Sequence, residues 1–405
     1  MNKNIIQILF ILTFMSVMQS CLKTHLNGDE STLKLDVKAI FDTENTPEGI
    51  DITAITCVVS NIKETSLIHR KNLDSAGNIE FLLSPGSYSI VMSAEFVIDN
   101  NVYYINGAVS DFLLDEKGVS MKSNSGYQEP VINVEMLLSK SSALIIREVY
   151  YAGSKNINTG ENYSRDQYIE IYNNSNSIVY LDSLFIGCMY PYNSISGSHP
   201  FAGYDTTPIA DKHWMFPGDG NDYPLNPGES VVIAECAIEH TESDLHLHLE
   251  KSHFAFYASN LNTQKDPSVV ALKCMLETQS NRYTLSISCP AVVIYKIPNV
   301  KEYYANPTMW CRFEPGRSAG RQDWCIPQSW ILDGVEIFEM SGNNTKRLRG
   351  YVDASYCTLT AGRNIGLAVS RKIEKIVNGK NIYKDSNNSI DDFEEKIATP
   401  TLRNQ

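Results

Sequence analysis

The chain has 405 residues, 43% of them hydrophobic and 20% charged, so it has enough apolar material for sizeable cores. It carries 34 basic and 47 acidic side chains, a net charge of −13. A nucleic-acid-binding protein needs a basic excess to neutralise phosphates, and charge-driven docking on anionic lipid needs one too. The composition therefore argues against both classes, and the length suggests two or three domains.

The N-terminus has the features of an export signal. An apolar run from Ile5 to Val17 is too short to span a bilayer with margin. It leads to Ser20 and Cys21, which resemble a bacterial lipobox, in which the cysteine is acylated and becomes the mature N-terminus. We therefore expect a lipoprotein signal peptide at 1–20 and a lipidated cysteine with a short tether at 21–32. An ordinary secretory signal with a coincidental cysteine is the alternative.

The lipobox resemblance also implies a location. A palmitate-type anchor on Cys21 would hold the chain on membrane lipid, since each buried methylene contributes about 0.8 kcal/mol. We expect the outer membrane, and the sequence leaves open whether the protein faces the periplasm or the cell exterior.

Residues 33–138 are expected to form a small β-sandwich. Leu33 to Ala39 alternates apolar and polar side chains, which is typical of a half-buried strand. Pro85-Gly86 favours a tight turn between two further strands. The order D-x-x-G-x-I-x-F and P-G-x-Y-x-I, from Asp74 to Ile90, resembles prealbumin-like modules related to carboxypeptidase regulatory domains. That resemblance implies a spacer or binding module with no chemistry of its own.

A linker is expected at 139–142, followed by a larger β domain at 143–405. The motifs I-x-E-V-Y-Y, Y-I-E-I-Y-N, Y-L-D-S-L and L-x-P-G-E-S-V-V-I-A follow one another between residues 146 and 234. This order resembles lamin-tail-type immunoglobulin-like sandwiches. It resembles more closely a Bacteroidota family of secreted lipoproteins known only as a domain of unknown function. The predicted fold class is thus all-β, with two sandwich domains.

The sequence contains few signs of catalysis. No H-E-x-x-H, P-loop, G-x-S-x-G or C-x-x-C motif occurs, so the zincin, nucleotide-binding, α/β-hydrolase and thioredoxin classes lack their signatures. Glu148 and Glu170 occupy matching places in two predicted strands, and two facing carboxylates can hydrolyse glycosides at a suitable separation. A structural network that includes Arg147 or Arg165 is the alternative. We expect no enzyme activity and no cofactor.

Two kinds of metal site are candidates. His246 and His248 would share one face of a strand, where two imidazoles could meet one metal ion, although a solvated loop fits equally. The oxygen-rich stretches around Asp219 and Asp222 and around Asp385 and Asp391 could bind calcium. Asp and Asn are also ordinary turn residues, so turns are the alternative.

Aromatic loops are the main candidates for binding. The long insertion at 187–224 and the stretch around Trp310 interrupt the strand pattern with Tyr, Trp, Pro and Gly. Such side chains give a large contact area with little entropy to lose. The candidate residues are Trp214, Trp310, Tyr190 and Tyr192, with core filling beneath a loop as the alternative.

Eight cysteines remain beyond Cys21, and an exported chain permits disulfides. Cys311 and Cys325 flank a Gly- and Arg-rich loop and are the expected pair.

The leading functional prediction is a non-catalytic binding or accessory protein of the cell envelope. Its expected partners are a glycan or a transporter, besides membrane lipid, and no nucleic acid. A glycan- or peptide-processing hydrolase and a purely structural envelope protein are the alternatives.

Overall fold

The structure is a computed structural model, and it describes residues 32–41, 50–64, 66–98, 101–121, 126–140, 142–195, 206–209, 213–261, 263–276, 285–314, 317–320, 322–340 and 344–404. The expected signal peptide, Cys21 and the tether up to residue 31 lie outside the described residues. Within the described residues, no helix is long and apolar enough to cross a bilayer.

In the described ranges between residues 32 and 140, the N-terminal domain has nine strands and one 3₁₀ turn at Ile52–Ala54. The strands are β1 (Leu33–Phe41), β2 (Thr56–Asn61), β3 (Ile68–Asn72), β4 (Asn78–Leu83), β5 (Gly86–Ile98), β6 (Asn101–Asp115), β7 (Gly118–Met121), β8 (Tyr127–Gln128) and β9 (Val131–Lys140). Their order along the sheet is β3-β2-β5-β6-β9-β1-β4, with β7 paired to β6 and β8 paired to β7. β1 and β9 run parallel, whereas the other pairs are antiparallel.

One apolar core holds this domain together. In β1, the side chains of Leu35, Val37 and Ala39 are buried and alternate with more exposed neighbours, as the sequence pattern predicts. They pack with buried side chains of β2, β5 and β6, such as Val59 and Ile90. The sheet therefore folds over itself and encloses its apolar face.

The second domain contains 21 strands and three short helices among the described residues. The strands are β10 (Leu144–Tyr150), β11 (Ser154–Lys155), β12 (Asn162–Tyr163), β13 (Tyr168–Asn173), β14 (Val179–Tyr180), β15 (Leu184–Cys188), β16 (Thr206–Pro208), β17 (Trp214–Met215), β18 (Pro224–Leu225), β19 (Ser230–Ala234), β20 (Phe254–Ala255), β21 (Val270–Ala271), β22 (Lys273–Cys274), β23 (Ala291–Lys296), β24 (Cys311–Phe313), β25 (Gln322–Pro327), β26 (Ile331–Glu336), β27 (Leu367–Arg371), β28 (Ile373–Val377), β29 (Lys380–Tyr383) and β30 (Phe393–Ile397). The helices are α1 (Val300–Ala305), α2 (Pro307–Trp310) and α3 (Ser389–Asp392), and 3₁₀ turns occur at Leu249–Lys251 and Gln328–Trp330.

Two sheets form the sandwich of this domain. A seven-stranded sheet has the order β21-β20-β19-β13-β10-β27-β30, and a five-stranded sheet has the order β22-β17-β15-β23-β26. The core between them takes Ile169 and Ile171 from the first sheet and Ile186 and Ile294 from the second. The expected all-β, sandwich-like fold is thus confirmed.

Both sheets are also covered on their outer faces. In β13, every residue is buried, because Ile169 and Ile171 face the central core while Tyr168, Glu170 and Tyr172 alternate with them on the outer face. On the five-stranded sheet, Phe185 of β15 packs outward beneath α1 and β25. A polar groove lies on the outer face of the seven-stranded sheet, and an aromatic surface lies on the outer face of the five-stranded sheet.

The two domains meet at a short junction. β9 continues through Lys140, so residues 139 and 140 of the expected linker belong to this strand, and β10 begins at Leu144. Hydrogen bonds connect the domains here: the Asn106 amide donates to the Ser386 carbonyl at 2.9 Å, and the Ser142 N–H donates to Asp385 Oδ2 at 3.2 Å.

Candidate functional site

Aromatic side chains from four separate elements converge on the outer face of the five-stranded sheet. Trp310, Trp324 and Trp330 surround Tyr303, with ring centroids 5.3, 5.1 and 6.0 Å from the Tyr303 ring. Trp310 and Trp330 lie 4.9 Å apart, and Tyr304 lies 5.0 Å from Trp324. We call these five residues the tryptophan cluster. Tyr303 is buried, whereas the three indoles are only half-buried, so the cluster presents aromatic surface to solvent.

Local sequence signals explain how the cluster forms. Asn299 caps α1, because its side-chain oxygen accepts the Glu302 N–H at 3.1 Å. Pro307 is the first residue of α2, a position at which its missing N–H costs nothing. Two consecutive short helices thereby place Tyr303 and Trp310 next to each other on the outer face of the five-stranded sheet. β25 supplies Trp324, and the 3₁₀ turn that follows it supplies Trp330.

The two tyrosines of the cluster are anchored by hydrogen bonds. The Tyr303 hydroxyl donates to the Cys325 carbonyl at 3.1 Å, and the Tyr304 hydroxyl lies 2.9 Å from Nδ1 of His213. Burial lowers the pKa of His213 to about 3, so this imidazole is neutral at physiological pH. The base of the cluster is therefore uncharged and held by two hydrogen bonds, and the cluster can bind a ligand through its ring faces.

The structure divides the predicted aromatic candidates. Trp310 is half-buried in the tryptophan cluster, and its role in binding stays a prediction. Trp214 does not belong to the cluster, because its side chain is fully buried between the sheets and packs edge-to-face on Phe256 at 5.5 Å. The expectation of a binding role for Trp214 is corrected accordingly: it fills the core. Tyr190 and Tyr192 are half-buried, and Tyr192 packs against the central core.

The expected disulfide is also corrected, because both Cys311 and Cys325 are free. β24 and β25 are antiparallel, with Cys311 opposite Trp324. Neighbouring residues of a strand point to opposite faces, so Cys325 points away from Cys311. Burial raises the pKa of the Cys325 thiol to about 12, which keeps it protonated and unreactive.

The histidine candidates are not brought together as a strand would bring them. His246 has a positive φ of 48° and lies in a turn, and both His246 and His248 are exposed. His248 Nδ1 lies 3.2 Å from Glu250 Oε1 and 3.8 Å from Glu239 Oε1. Across the described part of the chain, no three His, Cys, Asp or Glu side chains form a group that could hold a metal ion.

The calcium candidates lie in turns and in a charged cluster. Asp182 accepts the N–H groups of Gly220, Asp222 and Tyr223, each at 3.0 Å, and this cradle orders the loop that contains Asp219 and Asp222.

Asp385 pairs instead with the buried guanidinium of Arg371, at 3.0 Å, and Asp391 Oδ2 accepts the Asn388 amide at 3.0 Å. The aspartates are thus engaged by protein donors.

Glu148 and Glu170 lie directly opposite each other on β10 and β13, as predicted, and both are fully buried. Tyr168, Ser370 and the Thr399 N–H donate to Glu148. Burial raises the pKa of Glu148.

Three donors likewise engage Glu170: Arg147 at 2.5 Å, Ser230 at 2.5 Å and the Thr401 N–H at 3.1 Å. Every carboxylate oxygen of the pair therefore accepts a hydrogen bond from the protein, which fits the structural-network alternative.

Two members of the cluster, Trp324 and Trp330, were missed as candidate site residues. A signal for them is present, since the chain has four tryptophans and three of them fall between residues 310 and 330. Tryptophan is rare and large, so such a concentration indicates a shared aromatic surface.

Residues 226–401 match a family described as "Protein of unknown function (DUF4876)". The structure is similar to that of a DUF4876 family protein from Bacteroides thetaiotaomicron VPI-5482, with 27% identity, a TM-score of 0.58, and coverage of 91% of this chain and 96% of that chain.

A "putative adhesin" from Bacteroides ovatus ATCC 8483 has 8% identity and a TM-score of 0.19, over 65% of this chain and 78% of that chain, which establishes no shared fold. No curated protein matches the sequence. The resemblance to a Bacteroidota family of unknown function is confirmed: residues 226–401 match the DUF4876 family.

Proposed function

We propose that the chain is a lipid-anchored protein of the outer membrane that binds a glycan without turning it over. The observation that carries this proposal is the convergence of three half-buried indoles on the buried ring of Tyr303. The indoles come from separate elements and are held in place from below. Rigid aromatic side chains make strong recognition surfaces because binding costs them little conformational entropy.

A glycan suits this surface better than a nucleic acid. The C–H faces of sugar rings are apolar and pack on aromatic faces, and this contact does not need charge. Stacked nucleobases would need a positively charged groove for their phosphates as well. The chain has a net charge of −13, which disfavours such a ligand.

The absence of turnover is part of the proposal. It is supported by the arrangement of Glu148 and Glu170, whose oxygens accept hydrogen bonds from Tyr168, Arg147 and neighbouring groups. A general acid or nucleophile needs an oxygen that can reach the substrate. Enzyme activity on the bound glycan would place the protein in the hydrolase class instead.

The anchor rests on the lipobox-like Ser20 and Cys21. We predict that Cys21→Ala releases the protein from the membrane fraction, because the acyl chains would have no attachment point. Membrane fractionation and intact mass measure this, with Cys57→Ala as the matched control that keeps the anchor. A Cys21→Ala protein that still sediments with membranes, beside a wild type without acyl mass, would contradict the proposal.

The binding function is tested by titrating the purified full-length protein with a panel of neutral oligosaccharides while tryptophan fluorescence is recorded. Sugar stacking on Trp310, Trp324 or Trp330 changes the environment of half-buried indoles, so the emission should shift and saturate. Chromatography of the same mixtures should recover each glycan unchanged. A panel without any saturable response would overturn the proposal for this ligand class, and cleavage products would overturn the non-catalytic assignment.

A further inference from the structure

A second site lies on the outer face of the seven-stranded sheet, on the side of the sandwich away from the tryptophan cluster. It is a groove of about 650 Å³, within the usual size range of small-molecule sites. Its floor includes Arg147 and Glu170, one wall is β29, and the other wall is the C-terminal segment from Thr401 to Asn404. We call it the outer groove.

The carboxylates of the outer groove are largely occupied. Glu170 has no exposed surface and accepts hydrogen bonds from Arg147, Ser230 and the Thr401 N–H. Glu229, at the rim, has one oxygen that accepts both the N–H and the side-chain amide of Asn226. The acceptors of the groove are therefore mostly satisfied by the protein itself.

The donors of the outer groove are more available. Lys380 packs its methylenes against Gly228, and its ammonium makes no hydrogen bond or ion pair with any described residue. Arg147 commits Nε to the Tyr383 hydroxyl and Nη1 to Glu170, to the Thr401 hydroxyl and to the Thr399 carbonyl. Its Nη2 lies 3.9 Å from Glu148 Oε2, and the N–H groups of Nη2 are the ones that remain for a further acceptor.

Two further cationic or donor groups line the same space. His253 Nδ1 accepts the Val232 N–H at 3.2 Å, so the proton of the neutral ring is on Nε2, which is a donor. The guanidinium of Arg403 donates to the carbonyls of Lys251, Ser268 and Glu250 and to the Ser268 hydroxyl. None of these acceptors is a carboxylate, so these bonds do not neutralise its positive charge. The donors that remain are the Lys380 ammonium, His253 Nε2 and Arg147 Nη2, while most of the acceptors are engaged. Such a groove fits a ligand that supplies acceptors.

From this geometry we infer that the outer groove binds a small ligand through an oxyanion, a carboxylate or a phosphate, held between Lys380 and the Arg147 guanidinium. Charge-assisted bonds to such a group are about twice as strong as neutral ones. The location is notable in a chain with a net charge of −13, because an anion would otherwise be repelled.

The test is isothermal titration of the full-length protein with three probes. Trigalacturonate carries carboxylates, inorganic phosphate carries the alternative oxyanion, and α-1,4-linked galactotriose is the neutral counterpart of the first. We expect heat from at least one of the two anions, weakened by added salt. Any heat from galactotriose comes from the tryptophan cluster and should be the same for Lys380→Glu as for the wild type. Binding of phosphate alone or of trigalacturonate alone identifies the source of the oxyanion.

Two charge-reversal variants on the β28–β29 hairpin distinguish anion binding in the outer groove from a general effect of net charge on affinity. Lys380→Glu should weaken anion binding by about tenfold or more, because it places a negative charge in the groove. Lys375→Glu changes the net charge equally on β28, outside the groove, and should alter affinity by less than about twofold. Both lysines are exposed, so both variants should keep the wild-type thermal midpoint.

The inference is overturned if neither anion binds the wild type, or if Lys380→Glu binds the anion no more weakly than Lys375→Glu does. Tighter binding of the anion to Lys380→Glu would overturn it as well. None of these results bears on the tryptophan cluster, which lies on the other outer face, so failure here and failure of the proposed glycan site are distinguishable.

Discussion

At the scale of single residues, Trp214 and Trp310 differ in role although both are candidates from aromatic stretches of the sequence. Trp214 belongs to β17, whose partner β15 is a central strand of the five-stranded sheet, and its side chain is fully buried. Trp310 ends the short helix α2 on the outside of that sheet. The sequence has a tryptophan at both positions, but it does not indicate on which face of the sheet each side chain lies. The face depends on pairing between strands that are far apart in the chain.

This contrast gives a prediction about stability. Trp214→Ala should lower the free energy of unfolding by about 3–5 kcal/mol, because it leaves a cavity in the central core. Trp310→Ala should cost clearly less, since half-buried atoms leave no closed cavity. Urea denaturation of the two variants measures both values. Equal losses would show that Trp214 is not the core residue described here.

A second residue-scale feature is a buried charge cluster near the domain junction. Arg371 is buried with three aspartates, Asp333 at 2.6 Å, Asp385 at 3.0 Å and Asp392 at 3.4 Å. One guanidinium cannot neutralise three carboxylates, so the free-energy cost of burying all three in the charged form is not fully offset. Burial raises the pKa of Asp333 to about 7 and the pKa of Asp392 to about 6.

The raised pKa of Asp333 sets the sign of a pH effect. Between about pH 4 and pH 7 the folded state holds this proton and the unfolded state does not, so the contribution of Asp333 to stability falls as pH rises. His213, His240 and His253 act in the opposite direction, because burial lowers their pKa values. The pH dependence of the wild type contains both contributions, so the contribution of Asp333 is measured as a difference between the wild type and a variant without this carboxyl group.

We expect the stability of the wild type minus that of Asp333→Asn to decrease steadily from pH 4 to pH 7, since asparagine cannot lose a proton. Urea denaturation at several pH values measures this difference. A difference that is constant, or that increases with pH, would contradict the assignment of a raised pKa to Asp333.

At the scale of elements, regular strands could be predicted and their partners could not. The alternation from Leu33 to Ala39 correctly predicts β1. Pro85-Gly86 does join β4 to β5, but these strands do not pair as a hairpin: β4 pairs with β1, whereas β5 pairs with β2 and β6. Local sequence determines where a turn occurs, while sheet order depends on which apolar faces can be buried together.

The C-terminal segment is an element that the strand pattern does not reveal. After β30 the chain runs across the outer face of the seven-stranded sheet, where the Thr399 N–H donates to Glu148 and the Thr401 N–H to Glu170. Pro400 between them has no N–H to satisfy. Two buried carboxylates thus depend on two backbone donors from one extended segment.

Removing residues 399–405 should therefore destabilise the protein. Each buried carboxylate would lose a donor, at a cost of about 1–3 kcal/mol each. Removing only residues 404 and 405 is the matched control, because neither of these donors is lost. Thermal unfolding of the two truncated proteins provides the comparison. An unchanged midpoint after the longer truncation would mean that Thr399 and Thr401 are not needed to satisfy Glu148 and Glu170.

At the scale of the whole molecule, the sandwich of the second domain separates two candidate sites. The tryptophan cluster covers the outside of one sheet, and the outer groove lies on the outside of the other. The all-β class could be predicted from the sequence and is confirmed, because strand patterns are local signals, and the aromatic stretch around Trp310 marks that residue as a candidate for the same reason. The sequence did not predict the convergence of Trp324 and Trp330 on Tyr303, since that contact requires the packing of α1, α2 and β25 over one sheet.

The most direct test of glycan recognition compares affinity and stability in the same samples. Isothermal titration of the best glycan from the panel should give a binding free energy weaker by about 1–3 kcal/mol for Trp310→Ala, with a thermal midpoint close to that of the wild type. Met309→Ala, at the exposed neighbouring position of α2, should bind like the wild type. A lowered midpoint with unchanged affinity for Trp310→Ala, or continuous heat from turnover of the glycan, would contradict the account.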